Sequence, residues 1–480
     1  MIIVCKNHPY EYDVENLAEI FFPYEKIRMF NEMPDERDDV FVVTEINGDI
    51  ISVDAAVYDR KLSDCTTVSP ETDRQNALSV LFYRVMSSLL GIEYPWGILY
   101  GVRPARFFHS LTDKFSLEGA REIFKSKYLV KPEKLRLVET VAESENKIIA
   151  LSKKNSFSLY VSIPFCPTRC SYCSFVSHSI EQAAKLIDEY VELLVREIEA
   201  TAEYAMQNNL RLETVYFGGG TPTTLSAAQL ATLFKAIENN FDLSALREYT
   251  VEAGRPDTVT REKLLALKAA GVGRISINPQ SFNDEVLSAI GRRHSAQQTL
   301  DAFALARACG FDNINMDFIA GLPKDNLESF KNSLQTAVGL GAENITVHTL
   351  SLKTGAYMAT RENAFERTDK ILAADMVDYA GAALTAAGYK PYYMYRQGKS
   401  LGNLENVGWC KEGRDCLYNV FMMDETHTVL AVGAGAVIKL KHPQSGKIER
   451  IYNYKYPYEY IKDFENILKR KKKINNFLNS

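Results

Sequence analysis

The chain has 480 residues, of which 46% are hydrophobic and 24% charged, a composition typical of a folded protein with two or three domains. Its net charge of −5 argues against a nucleic-acid-binding protein, which usually presents a basic face. The first residues do not read as a signal peptide, and the longest uncharged apolar stretch, residues 429–438, is too short to span a bilayer. Eight cysteines are too few for a disulfide scaffold, so the sequence predicts a protein of the reducing cytoplasm without a membrane span.

Residues 1–150 are predicted to form an N-terminal accessory domain. Strand patterns occur at residues 39–44 and 50–57, and a helix pattern covers residues 76–90. This part carries no motif that points to chemistry.

From residue 151 the pattern changes to alternating strands and helices. The six predicted strands are residues 159–163, 214–217, 249–252, 274–277, 314–319 and 345–350. The helix patterns between them cover residues 180–205, 226–239, 260–270, 283–290 with 296–309, and 327–340. Six β/α units predict a parallel sheet with helices outside, here a partial (β/α)6 barrel over residues 151–355. The active site of such a sheet lies at the carboxyl ends of its strands.

Three cysteines follow the first of these strands with the spacing C-x3-C-x2-C, namely Cys166, Cys170 and Cys173. Three thiolates can hold three corners of a [4Fe–4S] cluster and leave the fourth iron open for a small molecule. A structural zinc site needs four protein ligands, and the nearest fourth ligand is His178, five residues past Cys173. The spacing therefore favours the cluster over zinc.

A glycine triplet, Gly218-Gly219-Gly220, ends the second predicted strand. Glycines let the backbone approach a ligand closely. A glycine-rich strand end downstream of C-x3-C-x2-C resembles the radical S-adenosylmethionine (SAM) superfamily. The resemblance implies that the open iron chelates the amino and carboxylate groups of SAM, and that the glycine-rich strand end contacts the methionine amino group.

The order of the later motifs is similar to that of the oxygen-independent coproporphyrinogen III oxidase family. The motifs are Tyr-Val-x-Ile-Pro-Phe-Cys, Val-Glu-Ala-Gly-Arg-Pro-Asp, Ser-Ile-Asn-Pro-Gln and Asp-Phe-Ile-Ala-Gly-Leu-Pro, and together with the long N-terminal region they most resemble its HemZ-type branch. The resemblance implies that the SAM site is lined by Tyr160, Gly219, Gly220, Thr221, Glu252, Gln280, Arg292 and Asp317.

The same resemblance implies a reaction and its partners. A radical made from SAM would convert two propionates of coproporphyrinogen III to vinyl groups and yield protoporphyrinogen IX, with an electron donor such as flavodoxin or ferredoxin. Because the substrate is a polycarboxylate, basic residues are expected at its entry, and the four candidates are Arg103, Arg255, Arg293 and Arg396.

A second function stays open, that of a HemW-type haem chaperone on the same scaffold. Phe175 stands where the oxidases carry a further cysteine, and Ser162 where they tend to have histidine. In the stretch around Phe175 the chain is closer to the HemW-type proteins.

Residues 356–480 are predicted to form a C-terminal α+β domain that covers the substrate, with a helix at residues 369–387 and a strand at residues 429–432. The basic run at residues 469–473 is expected to be the solvated end of a helix, with a membrane or partner surface as the alternative. Three of the remaining cysteines are interpreted as packed thiols, namely Cys5, Cys65 and Cys309, and two as free thiols, namely Cys410 and Cys416. His348 is either a barrel histidine or part of the site. For Cys410 and Cys416 a second redox or metal site is the alternative.

Overall fold

The structure, a computed structural model, describes residues 1–174, 178–351 and 367–479. The chain divides into two compact units, residues 1–142 with 395–405, and residues 143–394 with 406–480. The boundary predicted at residue 355 lies outside the described residues, as does Phe175, so the three-part division stays a prediction. None of the helices in the described ranges is both long and apolar enough to cross a membrane.

The first unit is built on a five-stranded sheet of order β2-β1-β3-β4-β5, in which β1 runs parallel to β2 and β3 and the other pairs are antiparallel. Its elements, of which the last helix crosses into the second unit, are β1 (Ile2–Lys6), α1 (Glu11–Phe21), β2 (Arg28–Phe30), β3 (Val40–Asn47), β4 (Ile50–Val57), β5 (Arg60–Thr67), α2 (Arg74–Leu90), α3 (Pro104–Lys114), α4 (Leu117–Glu122) and α5 (Pro132–Ile149).

Both strand patterns and the helix pattern predicted for this unit are present. Helix α2 begins where the Asp73 side chain accepts a hydrogen bond from the Asn76 amide and ends at Gly91, whose φ of 64° a glycine adopts without strain. It packs on β4 and β5, and the core contains Val42, Val53 and Phe82. The prediction of a packed thiol at Cys65 is wrong, because β5 is an edge strand and Cys65 on it is exposed.

The second unit contains the predicted barrel and the C-terminal residues. Its elements up to the sixth barrel strand are β6 (Ser156–Ile163), β7 (Phe165–Cys166), β8 (His178–Ser179), α6 (Ile180–Ala183), α7 (Ile187–Gln207), β9 (Arg211–Gly219), α8 (Ala227–Asn240), β10 (Glu248–Glu252), α9 (Arg261–Ala269), β11 (Arg274–Ser276), α10 (Asp284–Ala289), α11 (Ala296–Ala308), β12 (Ile314–Ala320), α12 (Leu327–Gly339) and β13 (Asn344–Thr349). The later elements are α13 (Arg367–Ala386), β14 (Lys390–Arg396), β15 (Glu405–Cys410), α14 (Leu417–Asp424), β16 (Thr428–Val432), β17 (Val437–Lys441), β18 (Ile448–Tyr452), α15 (Pro457–Lys462), α16 (Phe464–Lys471) and α17 (Lys473–Leu478).

The six predicted barrel strands are confirmed as neighbours in one parallel array, in the order β6, β9, β10, β11, β12 and β13. Their carboxyl ends therefore meet at one edge, called the barrel mouth below. Helices follow these strands along the chain, as expected, although the predicted helix at residues 180–205 is divided into α6 and α7 by a short 3₁₀ turn at Ala184–Leu186.

The sheet extends beyond the six predicted strands, because C-terminal strands join both of its sides. Strand β16 pairs in parallel with β6, β15 pairs antiparallel with β13, and β14, β17 and β18 complete an eleven-stranded sheet. The run Thr428–Val432 is buried at every position, as in strands covered on both faces. Its pairing partner lies about 270 residues earlier in the chain, which a local pattern does not reveal.

The interpretation of the basic run as a solvated helix end is wrong at one position. Lys471 is fully buried, and its ammonium lies 3.0 Å from the Glu197 carboxylate of α7, which is also fully buried. Buried charges occur where they are paired, so this lysine joins α16 to the barrel helix α7.

Candidate functional site

The cysteine loop, residues 166–173, begins at the last residue of β7, a short strand that follows β6 and pairs with β8, and backbone bonds hold the loop. The Ser171 amide donates to the Ile290 carbonyl at 3.0 Å, and the Cys173 amide donates to the Cys170 carbonyl at 3.1 Å. Gly291, with φ of 76°, lies beside the loop, where an added Cβ would be 3.7 Å from the Arg169 carbonyl oxygen. The three thiols are thus carried by one short segment at the barrel mouth, as predicted.

Arg255, which lies three residues after the end of β10, holds the same loop in place. Its guanidinium is buried, forms two 3.1 Å bonds with the Asp257 carboxylate, and donates through Nη1 to both Thr168 oxygens at 3.1 Å. The prediction that Arg255 lines the substrate entry is therefore wrong, because its donors serve the cysteine loop and Asp257. His294 packs behind it as a neutral ring, since burial lowers its pKa to about 3.

The glycine-rich strand end lies against the cysteine-bearing strand. Gly219 is opposite Ile163 in the parallel ladder, and the amides of Gly220 and Thr221 donate to the carbonyls of Ile163 and Phe165, both at 2.7 Å. A Cβ on Gly220 would lie 2.5 Å from the Phe165 oxygen, so only glycine allows this approach. Since these two amides are used within the protein, the glycine end can offer a ligand carbonyl oxygens, which an amino group needs.

Thr221 connects the two segments through its side chain as well. Its hydroxyl Oγ1 lies 3.6 Å from the Cys166 sulfur. The predicted SAM residue and the first predicted cluster ligand are therefore neighbours.

Glu252 ends β10 and is held by Tyr216 of β9, whose hydroxyl donates a 2.6 Å bond to Oε1 of the carboxylate. Burial raises the pKa of Glu252 to about 7, and the Tyr216 bond opposes that shift. Tyr160 lies beside them, its ring 6.2 Å from that of Tyr216 at 19°, and both rings stack on Tyr418 of α14. Tyr216 was missed from the sequence, although it precedes Gly218 by two residues and so points to the same face.

Gln280 and Asp317 are joined through the backbone at the next strand ends. The Gln280 amide donates to the Asp317 carbonyl at 2.9 Å, and Gln280 has a positive φ of 66°, which is uncommon for a residue other than glycine. The Asp317 side chain accepts a 2.7 Å bond from Asn315 and lies 3.8 Å from Nε2 of His348. Burial alone would raise the pKa of Asp317, but the nearby His348 ring and the hydrogen bond from Asn315 outweigh it and hold that pKa below its usual value. His348 therefore neighbours a predicted SAM residue, and its part in the site stays a prediction.

Arg292 bridges the cysteine loop and the fourth strand end. Its Nη1 donates to the Asn278 carbonyl at 2.7 Å, and its Nη2 lies 3.5 Å from the Tyr172 hydroxyl between the second and third cysteines. The predicted SAM residues and the three cysteines are therefore brought together at the barrel mouth, while their contacts with SAM stay a prediction.

Three buried polar atoms at this place have no hydrogen-bond partner among the residues that the structure describes. They are Oε1 of Gln280, Oδ1 of Asn278 and Nε of Arg292. Buried polar atoms are normally paired, so this group fits a bound polar molecule with both donors and acceptors, such as the zwitterionic end of SAM. In the described ranges no three Cys, His, Asp or Glu side chains are arranged to hold a single metal ion. A cubane cluster has a different ligand requirement, because each of three irons binds one thiolate.

Two other predictions concern residues outside this group. Arg396 is buried in the first unit, where its guanidinium donates to the carbonyls of Leu99 and Asn403, so the prediction that it lines the substrate entry is wrong. Arg103 also belongs to the first unit, and its role stays a prediction.

Cys410 and Cys416 are free, buried thiols whose Sγ atoms donate at 3.4 Å to Asp415 and Glu248.

The comparisons with known proteins agree with this geometry. Residues 160–337 match the radical SAM superfamily, whose cofactors are a [4Fe–4S] cluster and SAM. The oxygen-independent coproporphyrinogen-III oxidase-like protein HemZ of Bacillus subtilis is 38% identical over 82% of this chain and 79% of its own length. The haem chaperone HemW of Haemophilus influenzae is 31% identical over 65% of this chain and 77% of its own.

A solved structure shares the fold. Coproporphyrinogen III oxidase (HemN) from Escherichia coli, described as a radical SAM enzyme, covers 68% of this chain and 72% of its own with a TM-score of 0.52 and 24% identity. The chain therefore belongs to the radical SAM superfamily and, within it, to the family of oxygen-independent coproporphyrinogen-III oxidase-like proteins.

Proposed function

We propose that this protein decarboxylates coproporphyrinogen III oxidatively to protoporphyrinogen IX without oxygen. The observation that carries the proposal is the meeting of the cysteine loop with the buried, unpartnered atoms of Gln280, Asn278 and Arg292 at the barrel mouth. The likeness to the HemZ oxidase-like protein supports the choice of substrate. The chemistry requires a reducing compartment, so we assign the protein to the cytoplasm.

The reaction removes a carboxylate and two electrons from each of two propionate side chains. One hydrogen atom, a proton with one electron, leaves the β-carbon; the carboxylate leaves as carbon dioxide; and a second electron leaves to an acceptor, so that a vinyl group remains. The cluster and SAM, when bound, supply the one-electron cleavage that produces the hydrogen-abstracting radical.

The residues of this chain position SAM for that cleavage. Cys166, Cys170 and Cys173 would hold three irons and leave the fourth to the methionine end of SAM. Glu252 and the carbonyl oxygens of the glycine end would accept bonds from the amino group, and Arg292 would pair with the carboxylate. Asp317, kept ionised by His348 and Asn315, would accept bonds from the ribose hydroxyls.

A haem chaperone on the same scaffold is the second candidate function. Two observations favour it, the 31% identity with the HemW chaperone of Haemophilus influenzae and the phenylalanine at position 175. A chaperone would bind the cofactors and carry haem without converting a precursor.

Anaerobic incubation of the reconstituted protein with SAM, a reductant and coproporphyrinogen III tests the proposal. We expect the wild type to form 5′-deoxyadenosine together with decarboxylated porphyrinogen. The matched comparison is the Asp317→Asn variant, in which we expect SAM binding to be weaker. Deoxyadenosine without decarboxylated product would point to another substrate. Neither product, combined with stoichiometric haem binding, would establish the chaperone instead.

A further inference from the structure

A wide groove lies on the outer side of the cysteine loop. Its volume is about 1080 Å³, and it is lined by residues from four segments of the second unit: residues 167–169 with Ser174, residues 178, 179 and 181, residues 288 and 291–293, and Lys455 with Tyr456. We call it the outer groove. Apart from Arg292, none of the predicted SAM residues lines it, so it is distinct from the inner face of the barrel mouth.

The outer groove is basic although the chain as a whole is acidic. Its lining contains Arg169, Arg292, Arg293 and Lys455 against a single carboxylate, Glu181. Glu181 and Arg293 form an exposed ion pair at 3.2 Å, and the basic side chains of the lining outnumber its carboxylates by three. Because the chain as a whole carries a net charge of −5, an acidic partner is attracted where basic side chains cluster, as they do in this lining.

One wall of the outer groove is aromatic. The rings of Tyr456 and Tyr458 stack at 5.5 Å, and His178 meets both of them edge-on at 5.7 and 6.2 Å. The two tyrosines are exposed, 38% and 50% respectively. Exposed aromatic rings beside arginines are the side chains that protein interfaces favour.

Resting on the proposed function, we infer that the outer groove is the docking surface for an acidic one-electron donor protein of the flavodoxin or ferredoxin class. The partner must approach the cysteine loop closely, because electron transfer between proteins slows steeply with distance, and the groove is bounded by residues 167–169 and Ser174 of that loop segment. Charge complementarity of this kind steers encounter and sets orientation.

Binding to oxidised flavodoxin tests the inference without turnover. The variant Arg293→Glu with Lys455→Glu reverses two exposed charges outside the loop, and the matched control Lys447→Glu with Lys473→Glu makes the same change on another exposed basic surface. At low ionic strength we expect the first variant to bind flavodoxin roughly tenfold more weakly than the wild type, and the control to bind as the wild type does. Added salt should weaken wild-type binding far more than binding of the first variant.

Equal affinity of the first variant and the wild type would overturn the inference, as would an equal loss in the control. An unchanged flavodoxin affinity with weaker binding of coproporphyrinogen III would assign the groove to the substrate instead. Sodium dithionite separates this test from that of the proposed function, because a small reductant needs no docking surface. A wild type that decarboxylates nothing with dithionite yet binds flavodoxin through this groove would refute the proposed substrate and leave the docking surface standing.

Discussion

Glu252 lies at the barrel mouth with a pKa of about 7, raised by burial from the usual range of a carboxyl group. Below that pH the side chain is neutral and is a weak acceptor for the N–H bonds of an amino group; above it the side chain is a carboxylate and a stronger acceptor. A hydrogen bond to the charged form favours ionisation. The 2.6 Å bond from Tyr216 therefore keeps the pKa of Glu252 from rising further above 7.

We therefore expect SAM to bind more tightly as the pH rises through about 7. Tyr216→Phe removes the hydrogen-bond donor, so the pKa of Glu252 should rise further. The pH midpoint of SAM binding should then move up by about one unit, which corresponds to the free energy of one modest hydrogen bond to a charged group. Isothermal titration between mildly acid and mildly alkaline pH measures both. Tyr249→Phe is the matched control, since that buried hydroxyl has no partner among the described residues; equal midpoints for the two variants would contradict the coupling.

The cysteines allow a second test at the level of single residues. Cys170→Ala removes one of three predicted cluster ligands, so we expect the iron content after anaerobic reconstitution to fall to a small fraction of the wild-type value. Cys309→Ala removes a buried thiol at the end of α11 and should keep its iron. Wild-type iron content and visible spectrum in Cys170→Ala would refute the ligand assignment.

At the scale of elements, the C-terminal helices are fastened to α7 by one buried carboxylate. Glu197 accepts hydrogen bonds from the Gly433 amide at 2.7 Å, from Asn453 at 2.8 Å and from Tyr460 at 2.7 Å, in addition to its ion pair with Lys471. A carboxylate with four donors is stable in the interior only while they are all present.

Lys471→Met keeps the length of the side chain and removes its charge. We expect it to lower the free energy of unfolding of the second unit by about 3–5 kcal/mol, because it leaves Glu197 buried without its cation. Denaturant titration followed by circular dichroism measures the loss. Lys469→Met, two residues earlier and exposed, should change stability little; equal effects of the two substitutions would mean that the pair contributes nothing.

At the scale of the whole molecule, the central strands of the second unit are paired on both sides. Strand β6 lies between β9 and β16, whereas β18 forms an edge of the same sheet. Ser162 at the end of β6 also donates a 2.7 Å bond to the carbonyl of Ala434, just after β16. The support of the strand that carries the cysteine loop therefore comes partly from residues more than 250 positions later.

Hydrogen exchange should follow this arrangement. We expect the amides of β6, β9 and β16 to exchange slowest, through opening of the whole unit, and those of β18 to exchange faster, because an edge strand opens locally. Exchange measured by mass spectrometry on peptides from each strand distinguishes them. Exchange of β16 as fast as that of β18 would contradict the pairing of β16 with β6.

The sequence by itself determined the α/β class, the six parallel strands and the strand ends that carry the candidate site residues. These features are local: each strand is a short buried run, the cysteine spacing lies within eight residues, and Glu252, Gln280 and Asp317 each follow a strand whose end must lie at the barrel mouth.

Only the tertiary structure decided which distant segments meet. The sequence does not show that Thr428–Val432 pairs with β6, that Lys471 is buried against Glu197, that Arg255 holds the cysteine loop instead of meeting the substrate, or that Arg396 is enclosed in the first unit. The residues next to a lysine or arginine in the sequence do not show whether its side chain is solvated or paired. Its burial depends on a partner elsewhere in the chain. The family and its cofactors were therefore predictable from motifs, while the contacts that support the candidate site required the fold.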